Sequence, residues 1–216
     1  MTVLAGVLLG VASAFAVGDW VAIATASTRL EYVCKPGATA ALIGVAATLD
    51  TAHGDTRAWF VVALVLCLVG DVFLMLPARP DGPDGFVPGL GSFLFAQLAF
   101  TVGFALHGGS TGEYVLGGVL VTVAAAPLAT RFVRALLHSQ HAVLVGPVLA
   151  YLVAIVAMAT AAIGGANVWA IAGAVLFLAS DSLIAETRFV AEHRGVPVAI
   201  MVTYHLALIG LVISLI

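Results

Sequence analysis

The stretch Ala58-Trp59-Phe60-Val61-Val62-Ala63-Leu64-Val65-Leu66-Cys67-Leu68-Val69-Gly70-Asp71-Val72-Phe73-Leu74-Met75-Leu76 decides how this chain must be read. Its side chains are apolar or small except for one, Asp71. Wound as a helix it spans about 28 Å, close to the ~30 Å hydrocarbon core of a bilayer. A second run, Gly173-Ala174-Val175-Leu176-Phe177-Leu178-Ala179-Ser180-Asp181-Ser182-Leu183-Ile184-Ala185, sets Asp181 in a similar context. An ionisable group inside a spanning helix costs roughly 2.5 to 3.5 kcal/mol on insertion scales, so such residues face a polar interior and mark function. Two of them predict a shared site.

The rest of the chain agrees with this reading. Of 216 residues, 62% are hydrophobic and 9% charged, and the mean hydropathy is +1.18, which excludes a soluble domain with a charged shell. Strand-like alternation is absent, which disfavours a transmembrane barrel. The pattern predicts an all-α polytopic membrane protein of about eight transmembrane helices, a single integral membrane domain over residues 1–216. The helices are expected at 3–25, 36–52, 57–77, 89–107, 113–130, 141–163, 167–187 and 197–216. Ala12-Ser13-Ala14 resembles a signal-peptide cleavage site, but the first run has no basic leader and a long apolar stretch, so it is read as a retained helix.

Basic residues set the orientation. Arg29, Lys35, Arg79, Arg131, Arg134, Arg188 and Arg194 fall in or beside alternate connections, and only Arg57 falls in the others. By the positive-inside rule the first set is cytoplasmic, both termini face outward, and Asp71 and Asp181 lie toward the inner ends of helices 3 and 7. A bacterial cell membrane is the expected location. The net charge of -3, with scattered basic residues, leaves no electrostatic footprint for nucleic acid. Cys34 and Cys67 have neither C-x-x-C spacing nor a His pair and are read as packing residues; no metal or cofactor is expected.

A faint repeat runs through the chain. Pro36 precedes Asp71 by 35 positions and Pro147 precedes Asp181 by 34, while Gln97 and His205 follow the two acids at offsets of 26 and 24. Two parallel four-helix repeats would bring the acids toward a common axis. Gly6, Gly10 and Ala14 at four-residue spacing, with Gly117 and Gly118, predict close helix packing. Asp81 and Asp84, in the Pro- and Gly-rich connection after helix 3, are read as solvated loop charges.

Asp71 and Asp181 are the catalytic candidates, because in a partly dry cavity one carboxyl can donate a proton while the other accepts. Asp19, near the inner end of helix 1 beside Trp20, and Lys35, at the inner start of helix 2, share their depth and are candidates for binding substrate. Lys35 is suited to a phosphate. Gln97, Tyr151, Tyr204 and His205 are polar groups within apolar helices that can hydrogen-bond a substrate. Glu186, five residues past Asp181, is expected at the cytoplasmic interface.

Lys35-Pro36, Gly70-Asp71-Val72-Phe73-Leu74-Met75 and the run from Gly173 to Asp181 resemble the YhhN/TMEM86 family of membrane proteins nearly end to end. The resemblance implies an eight-helix layout and lysoplasmalogenase activity: hydrolysis of the vinyl ether bond of a lysophospholipid to a fatty aldehyde and a glycerophospho-alcohol. The implied partners are that substrate and membrane lipid. Gln97 stands where the family typically carries a His, and Tyr204-His205 where an aromatic pair is more usual, so the role of that His does not pass to Gln97. Acids on related helices also describe a proton-coupled transporter of a lipid or small amphiphile, the alternative reading. An intramembrane aspartyl protease would need a Gly where Leu68 stands.

Overall fold

The structure, a computed structural model, describes residues 1–51, 53–76, 85–139, 142–165, 167–191 and 193–216. Among these residues there are eight α-helices: α1 (Val3–Ala24), α2 (Thr28–Thr48), α3 (Gly54–Met75), α4 (Phe86–His107), α5 (Thr111–Leu137), α6 (Val145–Gly164), α7 (Val168–Phe189) and α8 (Val196–Ile213). Three of their N-termini carry legible start signals. Thr2 caps α1 by accepting from Ala5 N–H, Ser110 and Glu113 form a reciprocal capping box on α5, and Asn167 accepts from Trp169 and Ala170 N–H on α7.

Successive helices alternate in direction. Thr2 at the start of α1 donates to the Thr48 carbonyl at the end of α2 (3.1 Å), and Tyr32 early in α2 reaches the Met75 carbonyl at the end of α3 (2.6 Å). Asn167 before α7 likewise reaches the Ser214 carbonyl beyond α8 (3.2 Å). This gathers Arg29, Arg131, Arg134, Arg188 and Arg194 at one end of the bundle, whereas Arg57 lies at the other.

Seven of the helices are long and apolar enough to cross a membrane. The exception to the predicted eight is α2, whose 21 residues suffice in length but include Arg29, Glu31 and Lys35 in their first turns. Its start also differs from the predicted residue 36: the helix begins at Thr28 and Pro36 lies inside it. Proline there removes only the donor to the Tyr32 carbonyl, and helices of a membrane bundle tolerate this where neighbours hold the segment. Lys35 therefore sits two turns inside α2 rather than at its mouth. Helix α5 runs to Leu137, past the predicted 130, because Phe132 and Leu136 continue its buried face and Arg131 and Arg134 suit a helix C-terminus.

The bundle is inverted relative to a soluble protein. Val3, Val7, Val11, Val115, Val119 and Val153 are exposed, while Asp19, Lys35, Asp71, Gln97, Ser180 and His205 are buried. Apolar side chains can face lipid at no cost, whereas polar groups must find partners inside. The Gly6-Gly10-Ala14 series does not pack helices: an added Cβ at Gly10 meets nothing within 4 Å, and Ala14 is exposed. That role falls on other glycines of α1 and α2, such as Gly18, whose Cβ would come 2.8 Å from Cys34 Sγ. Gly117 does pack closely, against Ile163 of α6. Arg79, Asp81 and Asp84 lie outside the described residues.

Candidate active site

Asp71 lies four residues before the end of α3 and Asp181 eight before the end of α7, about 6 and 12 Å in from those ends at 1.5 Å per residue. Next to Asp71, Gly70 lets α4 come close, since a Cβ there would fall 2.6 Å from the Phe93 ring. Each acid anchors its own polar cluster.

Asp71 Oδ2 accepts from Thr39 Oγ1 of α2 (2.9 Å) and from the Tyr204 hydroxyl of α8 (2.8 Å), and Lys35 Nζ stands 4.0 Å from Oδ1. Both charged side chains are buried, so each offsets the other's desolvation. Asp19 on α1 lies within electrostatic reach of Lys35, Glu31 and Asp71, is fully buried, and has no hydrogen-bond partner for either oxygen among the described residues. The neighbouring Trp20 indole turns inward and donates to His205 Nδ1 (3.1 Å). His205 Nε2 has no hydrogen-bond partner among the described residues.

Asp181 Oδ2 accepts from the Tyr151 hydroxyl of α6 (2.5 Å), and that hydroxyl in turn receives Gln97 Nε2 of α4 (3.3 Å). Among the described residues no cation lies within ion-pair distance of Asp181. Cys67, fully buried one turn before Asp71, is within electrostatic reach of both acids and marks the space between the clusters. The wall there is aromatic: the Tyr204 ring meets Phe93 and Phe177 edge-on at 5.9 and 5.7 Å between centroids.

Asp181 and Tyr151 line an apolar cavity of about 60 Å³ among α3, α4, α5, α6 and α7, with Leu90, Phe93, Phe132, Ile155 and Leu178 among its other walls. One water needs about 10–15 Å³ of such space, so the cavity has room for roughly four to six waters or a short length of hydrocarbon. Asp71, Asp19, Lys35, Gln97, Tyr204 and His205 do not line it. The predicted residues thus fall into an α1–α2–α3–α8 group around Asp71 and an α4–α6–α7 group around Asp181. Glu186 is at the bundle end, where its Oε1 accepts from Arg131 Nη2 (2.6 Å).

Thr39 is a site residue that the sequence reading passed over. Its position one helical turn after Lys35, on the same face of α2, was the available signal. Nothing in the sequence predicts the bond between Trp20 and His205, 185 positions apart.

No solved structure matches the chain. Two proteins named lysoplasmalogenase, one from Mycobacterium bovis and one from Mycobacterium tuberculosis, are each 34% identical to it over 177 residues, 79% of this chain and 66% of theirs. The chain therefore spans just under two thirds of the length of these relatives. The sequence pattern of the YhhN family matches residues 30–215, from α2 through α8 with both acids, and the chain belongs to that family.

Proposed function

We propose that this protein is a lysoplasmalogenase-like hydrolase that cleaves the vinyl ether bond of lysoplasmalogens, releasing a fatty aldehyde and a glycerophospho-alcohol. The observation that carries the reading is Asp181, held by Tyr151 at the edge of a cavity whose walls are otherwise mostly apolar. Such a cavity suits the vinyl ether end of an alkenyl chain, and Asp181 supplies the proton that a vinyl ether needs. Family membership and the names of the two mycobacterial relatives support the same substrate.

In the proposed reaction the Asp181 carboxyl gives its proton to the β-carbon of the vinyl ether. The oxocarbenium ion that forms is captured at the α-carbon by water, which returns a proton to Asp181. The hemiacetal then collapses to aldehyde and alcohol, so no other reactant is consumed. Asp71, its charge offset by Lys35, supplies fixed negative charge toward the cation from across Cys67, as the second carboxylate does in glycosidases. Tyr151 and Gln97 orient Asp181, whereas Thr39, Tyr204 and Lys35 hold Asp71.

The proposal extends to the arrangement in the membrane. The arginine-rich end of the bundle faces the cytoplasm of a bacterial cell, and both termini face outward. Residues 1–216 form one domain of two parallel four-helix repeats. The repeat is supported by equivalent bonds, because in each half a hydroxyl on the second helix reaches the acid on the third: Thr39 to Asp71 and Tyr151 to Asp181. Cysteines placed at Arg194 and at His53 should be labelled only from opposite sides of sealed vesicles, and labelling from one side would reject this topology.

The deciding experiment incubates detergent-purified protein with lysoplasmenylethanolamine and follows aldehyde release. Asp181→Asn should lower the rate about 10²- to 10⁴-fold, the usual weight of a general acid or base, and Asp71→Asn about 10²- to 10³-fold, the weight of an electrostatic stabiliser. Full activity in either folded variant overturns the two-acid mechanism. Lipid uptake into proteoliposomes without aldehyde release would favour the carrier instead.

A further inference from the structure

Asp19 is the buried acid that the proposed reaction leaves without a task. Two close approaches of α1 set its place. Gly18 brings α1 against α2, since a Cβ there would fall 2.8 Å from Cys34 Sγ, and the residues that follow on the two helices are Asp19 and Lys35. Trp20 ties α1 to α8 through its bond to His205 (3.1 Å). Between these contacts Asp19 is fully buried, and neither of its oxygens has a hydrogen-bond partner among the described residues. Charges act on it instead: Lys35 attracts, whereas Asp71 and Glu31, the latter half-buried in the first turn of α2, repel. Lys35 acts on Asp71 as well, from 4.0 Å, which is beyond hydrogen-bond length. One ammonium thus stands among two buried carboxyls and is hydrogen-bonded to neither.

We propose that Asp19 is a positioning residue that acts through Lys35: it draws on the lysine's charge, so that Asp19, Lys35 and Asp71 together keep one uncompensated negative charge for the oxocarbenium ion, an inference that rests on the hydrolase reading for the identity of that cation. Lys35 and Asp71 by themselves would make a neutral pair. The field of such a pair falls off faster with distance than that of a charge, and little of it would reach a cation on the far side of Cys67. With Asp19 the trio has two negative charges and one positive. Charge fixed in a water-excluded interior stabilises a developing cation without reorganising as it forms. Stability alone gives no reason for the second acid, because a buried charge without a counter-ion of its own is costly and a one-to-one pair is the cheaper arrangement. Asp71 has Thr39 and Tyr204 as donors besides the lysine, so sharing Lys35 does not leave it unsupported.

The test uses the whole protein in uncharged detergent micelles and two lipids that are not cleaved. One is 1-O-alkyl-glycero-3-phosphoethanolamine; the other has a secondary ammonium in place of its ether oxygen, where the oxocarbenium charge would reside. Tail and headgroup are shared, so the ratio of the two affinities, measured by calorimetry, reads charge rather than fit. Asp19→Asn should lower the preference for the ammonium lipid roughly tenfold, and kcat for aldehyde release by a similar factor with KM nearly constant. Asp19→Ser, neutral and smaller, should do the same. Lys35→Met added to Asp19→Asn restores one uncompensated negative charge, so preference and kcat should both rise roughly threefold or more above Asp19→Asn. A merely structural role predicts a further fall, because the double variant lacks two buried groups. The proposal is overturned if Asp19→Asn and Asp19→Ser both keep the preference, if the two lipids lose affinity equally, or if adding Lys35→Met deepens the loss. Because both lipids are inert, the result is separable from catalysis. An Asp19-dependent preference without aldehyde release sinks the hydrolase reading and leaves the trio standing, whereas aldehyde release with a preference that ignores Asp19 does the reverse.

Discussion

Lys35→Met tests whether the buried ion pair holds the helices around Asp71 together. At 4.0 Å and an effective dielectric of about 20, the attraction between the two charges is about 4 kcal/mol. Removing the lysine leaves a carboxylate only 1% exposed, supported among the described residues by Thr39 and Tyr204 alone, and breaking such a pair from one side costs about 3–5 kcal/mol. The two remaining hydrogen bonds and the length of the ion pair argue for the lower end, about 3 kcal/mol. Asp71→Asn should cost a similar amount by stranding Lys35. The attraction between Lys35 and the buried Asp19 is lost equally in Lys35→Met and in the double variant and cancels in the cycle, so the double variant should fall short of the sum of the singles by about 2 kcal/mol or more. Reversible unfolding by SDS in mixed micelles, followed by circular dichroism, gives all four values of the cycle. Additivity of the singles within about 0.5 kcal/mol would refute the coupling and with it the argument that Lys35 serves Asp71.

Three further perturbations probe other parts of the structure. Tyr151→Phe removes the only hydrogen bond to Asp181 among the described residues, and aldehyde release should fall about tenfold or more with KM nearly constant; an unchanged rate would remove Tyr151 from the mechanism. Ala185→Phe places a ring in the cavity, and displacing even two methylenes of a bound chain, at about 0.8 kcal/mol each, should weaken affinity for long-chain lysolipid roughly tenfold. Undiminished affinity would place the chain elsewhere. Gly173→Ala puts a Cβ 2.8 Å from Leu211 N and 2.9 Å from the Ala207 carbonyl, where α7 and α8 cross, and should cost about 1–3 kcal/mol in SDS unfolding. A change under about 0.5 kcal/mol would mean that the two backbones part easily.

Much of the fold was readable because lipid imposes a simple rule on the chain. Any segment that crosses must satisfy its own backbone, so long apolar runs become helices whatever their neighbours do. The α3 and α7 runs obeyed this to within a few residues of the predicted ends. The rule says less about a segment that neighbours shield, and α2 shows why. Its Arg29, Glu31 and Lys35 interrupt the hydropathy signal and Pro36 imitates a boundary, yet the helix continues through both. The packing of α1 misled in the opposite way. Small residues at Gly6, Gly10 and Ala14 have the spacing of a helix contact, but spacing carries no information about which face meets a neighbour.

By itself the sequence determined that this is an all-α bundle with membrane-spanning helices and that Asp71 and Asp181 are its most telling residues. The cost of a carboxyl in an apolar run is local and can be read from the run. The tertiary structure alone decided what surrounds those acids: Asp71 beside Lys35, Thr39 and Tyr204, and Asp181 beside Tyr151 at the wall of a cavity. Partners 133 positions apart, such as Tyr204 and Asp71, meet only because α2 packs against both α3 and α8. Hydrogen bonds and ion pairs act over a few ångströms, and the sequence records no distance between helices.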